Sequence, residues 1–159
     1  MKYILEHPVR GTIGSEKFLT TVHWRNGVLV TDEPEKQGGK DRGPDPYTLL
    51  LASLITCTLA TLKMYTDHKE IPMPEIRVSA NMFQKIGNEG TAMVIERHIE
   101  ISSAVDDDLR QRLMRVAENC PVSKILKGSI SIATRLSDAV KLAEITHRMA
   151  DQEANDKEV

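Results

Sequence analysis

The chain has only two cysteines, Cys57 and Cys120, in 159 residues. That is too few for the disulfide framework of a small secreted scaffold or for a cysteine-rich zinc site. Positive charge is not in excess either: 21 Lys and Arg stand against 23 Asp and Glu, a formal net charge of -2. No broad positive field exists for non-specific nucleic-acid binding, so nucleic acid is not an expected partner. The opening segment Met1-Lys2-Tyr3-Ile4-Leu5-Glu6-His7-Pro8 lacks the apolar core and small-residue cleavage site of a secretory signal. A cytoplasmic protein with reduced thiols is expected. Internal repeats and low-complexity segments are absent too.

The length suits one domain with its own core, expected over residues 1–136, with a C-terminal helical tail over 137–159 whose end, from Asp151, reads as disordered or solvated. Residues 16–24 are rich in Phe, Thr and Val, and Arg25-Asn26-Gly27 separates them from Val28-Leu29-Val30, which reads as a hairpin turn. From Thr31 to Pro44 the composition shifts to Asp, Glu, Lys, Pro and Gly, predicting a surface loop. Asp45 can cap a helix whose first position is Pro46, and that helix is predicted to run to about Tyr65.

Leu49, Leu50, Leu51, Ala52, Leu54, Ile55, Leu59, Ala60 and Leu62 leave this helix no wide polar stripe, so it should be buried on nearly all sides. A membrane span is rejected because Ser53, Thr56, Thr58 and Thr61 dilute the run and Lys63 ends it short of the ~20 apolar residues needed. A single thin sheet covers only one side of such a helix. The other side must meet a second layer, most simply the same helix of a second copy, and a homodimer is expected.

Further on, Ile76, Val78, Ala80 and Met82 alternate with polar residues, and Met93, Ile95, Ile99 and Ile101 repeat the period after Gly87-Asn88-Glu89-Gly90. This predicts an antiparallel hairpin with one buried face. Asp106 to Asp108 open a second helix with Leu109, Leu113, Val116 and Ala117 on its apolar face, ending near Asn119. Pro121 opens a short third helix with Cys120 at its cap, stopped by Gly128. Ile130, Ile132 and Arg135 have strand-like surroundings. The order of strands, helix, hairpin, helices and strand makes an α+β domain, an antiparallel sheet packed on a central helix.

Two thiols are the candidates for chemistry. Cys57 lies mid-helix, where a cysteine is commonly a small buried hydrophobe; away from the free amides of a helix start, it needs a nearby cation to be held as thiolate. Cys120, ahead of Pro121, would point its sulfur at free amides. His7, His23, His68, His98 and His147 are scattered, with His98 on the polar side of its strand, and no metal site emerges. The acids at Asp32-Glu33 and Asp106 to Asp108 read as loop solubility and helix-start charge.

Gly43-Pro44-Asp45-Pro46-Tyr47-Thr48-Leu49-Leu50-Leu51-Ala52, followed by Thr56-Cys57 and then by Cys120-Pro121-Val122-Ser123, resembles the signature of the OsmC/Ohr family. Asp32-Glu33-Pro34 and Gly38-Gly39 resemble one of its subgroups, and the matching order covers about residues 18–136. The resemblance implies an intertwined homodimer in which the helix cysteine attacks a peroxide oxygen and the Cys-Pro cysteine resolves the sulfenic acid as a disulfide. It thus assigns Cys57 as peroxidatic and Cys120 as resolving, with no metal or organic cofactor and an external dithiol as reductant. An arginine that favours the thiolate is also implied. Arg25, in Arg25-Asn26-Gly27, is similar to the corresponding loop of the Ohr branch, and Arg42 competes by its closeness to the helix start. Where the better-understood peroxidase branches carry a glutamate after the proline, this chain has Tyr47, which can donate a hydrogen bond but is not a carboxylate.

Two functions follow as expectations. One is a thiol peroxidase for organic hydroperoxides, its substrate held near Cys57 by Tyr47, Leu50 and Leu54. The other is a non-catalytic dimer that binds a small hydrophobic ligand or senses redox state, a reading that Tyr47 favours.

Overall fold

A computed structural model of the chain describes residues 3–73, 75–87, 90–101 and 105–136. One compact unit spans Met1–Gly128 and a second spans Ser129–Val159.

The first unit opens with a three-stranded antiparallel sheet, β1 (Arg10–Ile13), β2 (Thr20–Trp24) and β3 (Gly27–Thr31), in that spatial order. The predicted hairpin is there: Trp24 pairs with Gly27 across the two-residue turn Arg25-Asn26. Gly27 is required at this corner because the Trp24 indole covers it, leaving 2.8 Å to any added Cβ. Strand β1 was not anticipated. Its four residues are all exposed and show no buried-face alternation by which to recognise a strand.

The loop after β3 is ordered around a buried acid. Asp32, 2% exposed, accepts hydrogen bonds from the backbone N–H groups of Glu33 (2.9 Å), Lys40 (3.1 Å) and Arg42 (3.4 Å). A single 3-10 turn, Glu35–Gln37, lies inside the loop. The solvated role expected of Asp32 is therefore corrected: it satisfies the amides of a turn that would otherwise be left unpaired.

Helix α1 (Pro46–His68) starts where the cap signal placed it, with the Asp45 carboxylate accepting from Tyr47 N–H (2.8 Å) and Thr48 N–H (3.1 Å). It continues three residues beyond the expected end near Tyr65, and within it the Lys63 ammonium pairs with Asp67 one turn on. By length and composition it is long and apolar enough to cross a membrane. Within the chain it buries a single stripe, Leu54, Thr58, Leu62 and Thr66, at the i, i+4 spacing of one helix face. The expectation of burial on nearly all sides is thus not met by one copy of the chain.

Strands β4 (Ile76–Gly87) and β5 (Gly90–Ile101) form the predicted hairpin, with Ile76 opposite Ile101, Val78 opposite Ile99 and Met82 opposite Ile95. The hairpin packs on α1 through β4, and α2 (Asp107–Glu118) and α3 (Pro121–Lys127) pack on α1 as well. Asp106 caps α2 through Leu109 N–H at 2.7 Å. Leu62, Leu113 and Ala117 form the core, surrounded by Tyr65, Met73, Ile76, Ile99, Ile101, Leu109 and Val116. The result is an α+β architecture of antiparallel sheets and helices.

In the second unit, residues 129–136 adopt neither helix nor strand, so the strand expected there is not formed. A strand needs a ladder partner for its backbone groups, and none pairs with it among the described residues. The expected helical tail over 137–159 lies outside the described residues.

Candidate functional site

The two thiols meet where α1 and α3 pack together. Cys120 is the N-cap of α3, and its sulfur accepts from the Ser123 N–H at 3.4 Å. A cysteine followed by proline at the first helical position presents its side chain to amides that have no intrahelical partner. From α1, Cys57 Sγ accepts from Val122 N–H at 3.5 Å, and the adjacent Thr58 Oγ1 lies 3.7 Å from Cys120 Sγ. Both cysteines are free; Cys57 is half-buried and Cys120 fully buried.

A short polar network surrounds Cys120. Ser123 Oγ lies 3.0 Å from its sulfur. One guanidinium nitrogen of Arg97, on β5, donates to Thr58 Oγ1 at 2.7 Å and to Ser123 Oγ at 3.0 Å, and stands 4.0 Å from Cys120 Sγ. Thr58 in turn donates its hydroxyl to the Leu54 carbonyl at 2.7 Å. Thr58 and Ser123 are almost fully enclosed, so these bonds act with little competition from water. Burial pushes the Cys120 thiol up, but hydrogen bonds from the Ser123 hydroxyl and the Ser123 amide, with polar contacts to Thr58 and Cys57 beside them, more than offset it, bringing the thiol from 9.0 down to about 7.

Neither loop arginine joins either sulfur in this chain. Arg25 is exposed at the β2–β3 turn. Arg42 donates to Glu16 at 2.6 Å and to Asp32 at 3.4 Å. The hydrogen bond to Glu16 is the foremost cause of the upward shift in its pKa. Of the residues expected around a substrate, Leu54 lines a cavity of about 250 Å³ together with Met93, Ile95, Arg97, Ser123 and Leu126. Tyr47 and Leu50, at the start of α1, are exposed.

Arg97, Thr58 and Ser123 are the site residues that sequence reasoning missed. One signal could have found Arg97. It occupies the same strand parity as Met93, Ile95, Ile99 and Ile101, opposite Ala80, so a cation interrupts an otherwise apolar face. A charge at such a position needs a partner inside the fold. Among the described residues, no three His, Cys, Asp or Glu side chains converge as a metal site.

The OsmC-like protein family matches residues 38–135, a segment containing both cysteines and Arg97. Solved structures of similar fold include an organic hydroperoxide resistance protein from Elizabethkingia anophelis, 25% identical with a TM-score of 0.62, covering 82% of this chain and 94% of its own. An OsmC-like protein from Mycoplasma pneumoniae is 19% identical with a TM-score of 0.64, covering 79% and 90% respectively. An organic hydroperoxide resistance protein from Legionella pneumophila is 18% identical with a TM-score of 0.61, covering 80% and 93%. No curated protein sequence matches the chain.

Proposed function

The chain belongs to the OsmC-like protein family, and from that premise we propose that it is a thiol-dependent peroxidase reducing organic hydroperoxides. The observation that carries the reading is the asymmetric thiol pair at the α1–α3 junction: a partly accessible Cys57 beside an enclosed Cys120 whose thiol sits at about 7. An accessible sulfur can meet a peroxide; an enclosed thiolate is placed to attack its neighbour.

In the proposed reaction the Cys57 thiolate attacks the terminal oxygen of ROOH. The O–O bond breaks, and the alkoxide leaves and is protonated to the alcohol, with Cys57 oxidised to a sulfenic acid. The Cys120 thiolate then attacks the Cys57 sulfur, forming the disulfide and releasing hydroxide. An external dithiol restores both thiols by exchange. Neither a metal nor an organic cofactor is needed for these steps.

The apolar wall of the cavity at Leu54, Met93, Ile95 and Leu126 supports an organic rather than an inorganic peroxide, and the Elizabethkingia relative carries the name of organic hydroperoxide resistance. The homodimer is part of the proposal. Val28, Val30, Trp24, Tyr47 and Met64 are all exposed on β2, β3 and α1 in the single chain, and a second copy packed on them would supply the missing layer. Such a copy would also bring Arg25 or Arg42 of the N-terminal sheet and loop towards Cys57, with Tyr47 and Leu50 enclosing the substrate. Two free thiols suit a reducing cytoplasm.

The test is to mix reduced protein with stoichiometric cumene hydroperoxide, count free thiols and map the product by mass spectrometry, with Cys57→Ser as control. Formation of a Cys57–Cys120 disulfide that depends on Cys57 is expected. Unreacted thiols would instead support a non-catalytic dimer that binds a hydrophobic ligand in the same cavity.

A further inference from the structure

Arg97 stands on the apolar side of β5 yet makes no ion pair among the described residues; its two short hydrogen bonds go to the hydroxyls of Thr58 and Ser123. A hydroxyl has one proton, and Ser123 Oγ already accepts from Arg97 at 3.0 Å, so its own proton is free to point at Cys120 Sγ, also 3.0 Å away. Thr58 spends its proton on the Leu54 carbonyl and holds Arg97 from the other side as an acceptor.

We propose that Arg97 is a positioning residue for the resolving cysteine: clamped between Thr58 and Ser123, its guanidinium turns the Ser123 hydroxyl onto Cys120 Sγ and keeps that sulfur anionic. The role rests on the peroxidase reading for its use, since the anion is what attacks the Cys57 sulfenic acid. In that step the Cys120 electron pair forms the S–S bond, the Cys57 S–O bond breaks and hydroxide leaves.

The charged and titratable groups facing Cys120 Sγ can be named element by element. Cys57 faces it from α1 and Arg97 from β5, while the residue of β4 opposite Arg97 is Ala80. Helix α2 runs into Cys120 through the Cys120 N–H to Ala117 carbonyl bond, and its last charged side chains, Arg115 and Glu118, are exposed, as are Lys124 and Lys127 of α3. Among the described residues, Arg97 is therefore the cation that acts on the sulfur through enclosed contacts.

The experiment titrates the thiolate ultraviolet absorbance of the full chain in a Cys57→Ser background, where Cys120 is the only cysteine, with Arg97 intact or changed to Met, Gln or Lys. Removing the guanidinium in Arg97→Met and Arg97→Gln should raise the Cys120 midpoint by about 1–2 pH units, and Arg97→Lys should recover part of the shift. A midpoint unmoved in Arg97→Gln, or equally displaced in Arg97→Lys and Arg97→Met, would overturn the role. Arg97→Gln keeps a polar side chain at this position but removes the cation, so it guards against loss of fold, which circular dichroism checks in each variant. The titration needs no peroxide: failure of the peroxidase reading leaves the midpoints untouched, whereas failure of this proposal leaves disulfide formation by the unaltered protein untouched.

Discussion

The enclosed Cys120 thiol makes folding stability depend on pH in a way that can be worked out in sign and size. In the folded chain it sits at about 7, against an ordinary value of 9.0. Between these values the folded protein has released the proton while the unfolded chain still holds it, so the unfolded state binds more protons and stability rises with pH. The contribution is fully present above pH 9, shrinks as pH falls, and is gone below about 7. Two pH units correspond to about 2–3 kcal/mol, a sizeable share of the ~5–15 kcal/mol typical of a domain. The perturbation is Cys120→Ser, which removes the titrating group and keeps its size. Urea unfolding of the Cys57→Ser and Cys57→Ser/Cys120→Ser proteins across pH 6 to 10 isolates the effect, since every other group cancels in the difference. The difference should slope upward by about 2–3 kcal/mol between pH 7 and 9. A flat difference, or one sloping the other way, would refute the assignment of Cys120 as a stabilised thiolate.

Three further outcomes are expected. Leu62→Ala empties the centre of the core, where Leu62 is 0% exposed, and should lower the unfolding free energy by about 2–5 kcal/mol in urea titrations. Gly39→Ala places a Cβ 1.8 Å from the Glu33 carbonyl oxygen, so the loop around Asp32 must shift; a loss of about 1–3 kcal/mol is expected by thermal melting, with Gly14→Ala, where nothing lies within 4 Å, as the neutral comparison. On the acid side, Arg42 holds the Glu16 carboxyl below its ordinary value, hydrogen bonds from Thr48 do the same for Asp45, and for Asp32 three backbone amides outweigh the raising effect of burial. Their contribution is present above the ordinary values of 4.5 and 3.8 and is lost as pH falls through the lowered ones, so acid unfolding followed by circular dichroism should begin at higher pH in Asp32→Asn than in the unaltered protein.

What the sequence disclosed is what local chemistry dictates. Asp45-Pro46 fixes the start of α1, Asp106 that of α2 and Cys120-Pro121 that of α3, because a capping acceptor and an N1 proline act within one turn. The β4–β5 hairpin was readable from period-two alternation, and the OsmC-like resemblance from two short motifs around the cysteines. What escaped was non-local. Asp32 looks like any loop acid until Lys40 and Arg42 fold back to present their amides. Arg97 becomes meaningful only when β5 is laid beside α1 and α3, although its parity among isoleucines was visible beforehand. The uniform greasiness of α1 implies burial on nearly all sides, but one chain covers only the Leu54, Thr58, Leu62 and Thr66 stripe; the rest is surface that a second copy is proposed to cover.

The central claim is that Cys57 is the sulfur that meets the peroxide and Cys120 the one that resolves it. Trapping with dimedone, which captures sulfenic acids, addresses it directly: Cys120→Ser protein is treated with cumene hydroperoxide and the adduct located by mass spectrometry, with Cys57→Ser treated alongside. An adduct on Cys57 in the first protein, and little or none in the second, is the expected result. An adduct on Cys120 in the second, with Cys57 unmodified in the first, would reverse the two roles.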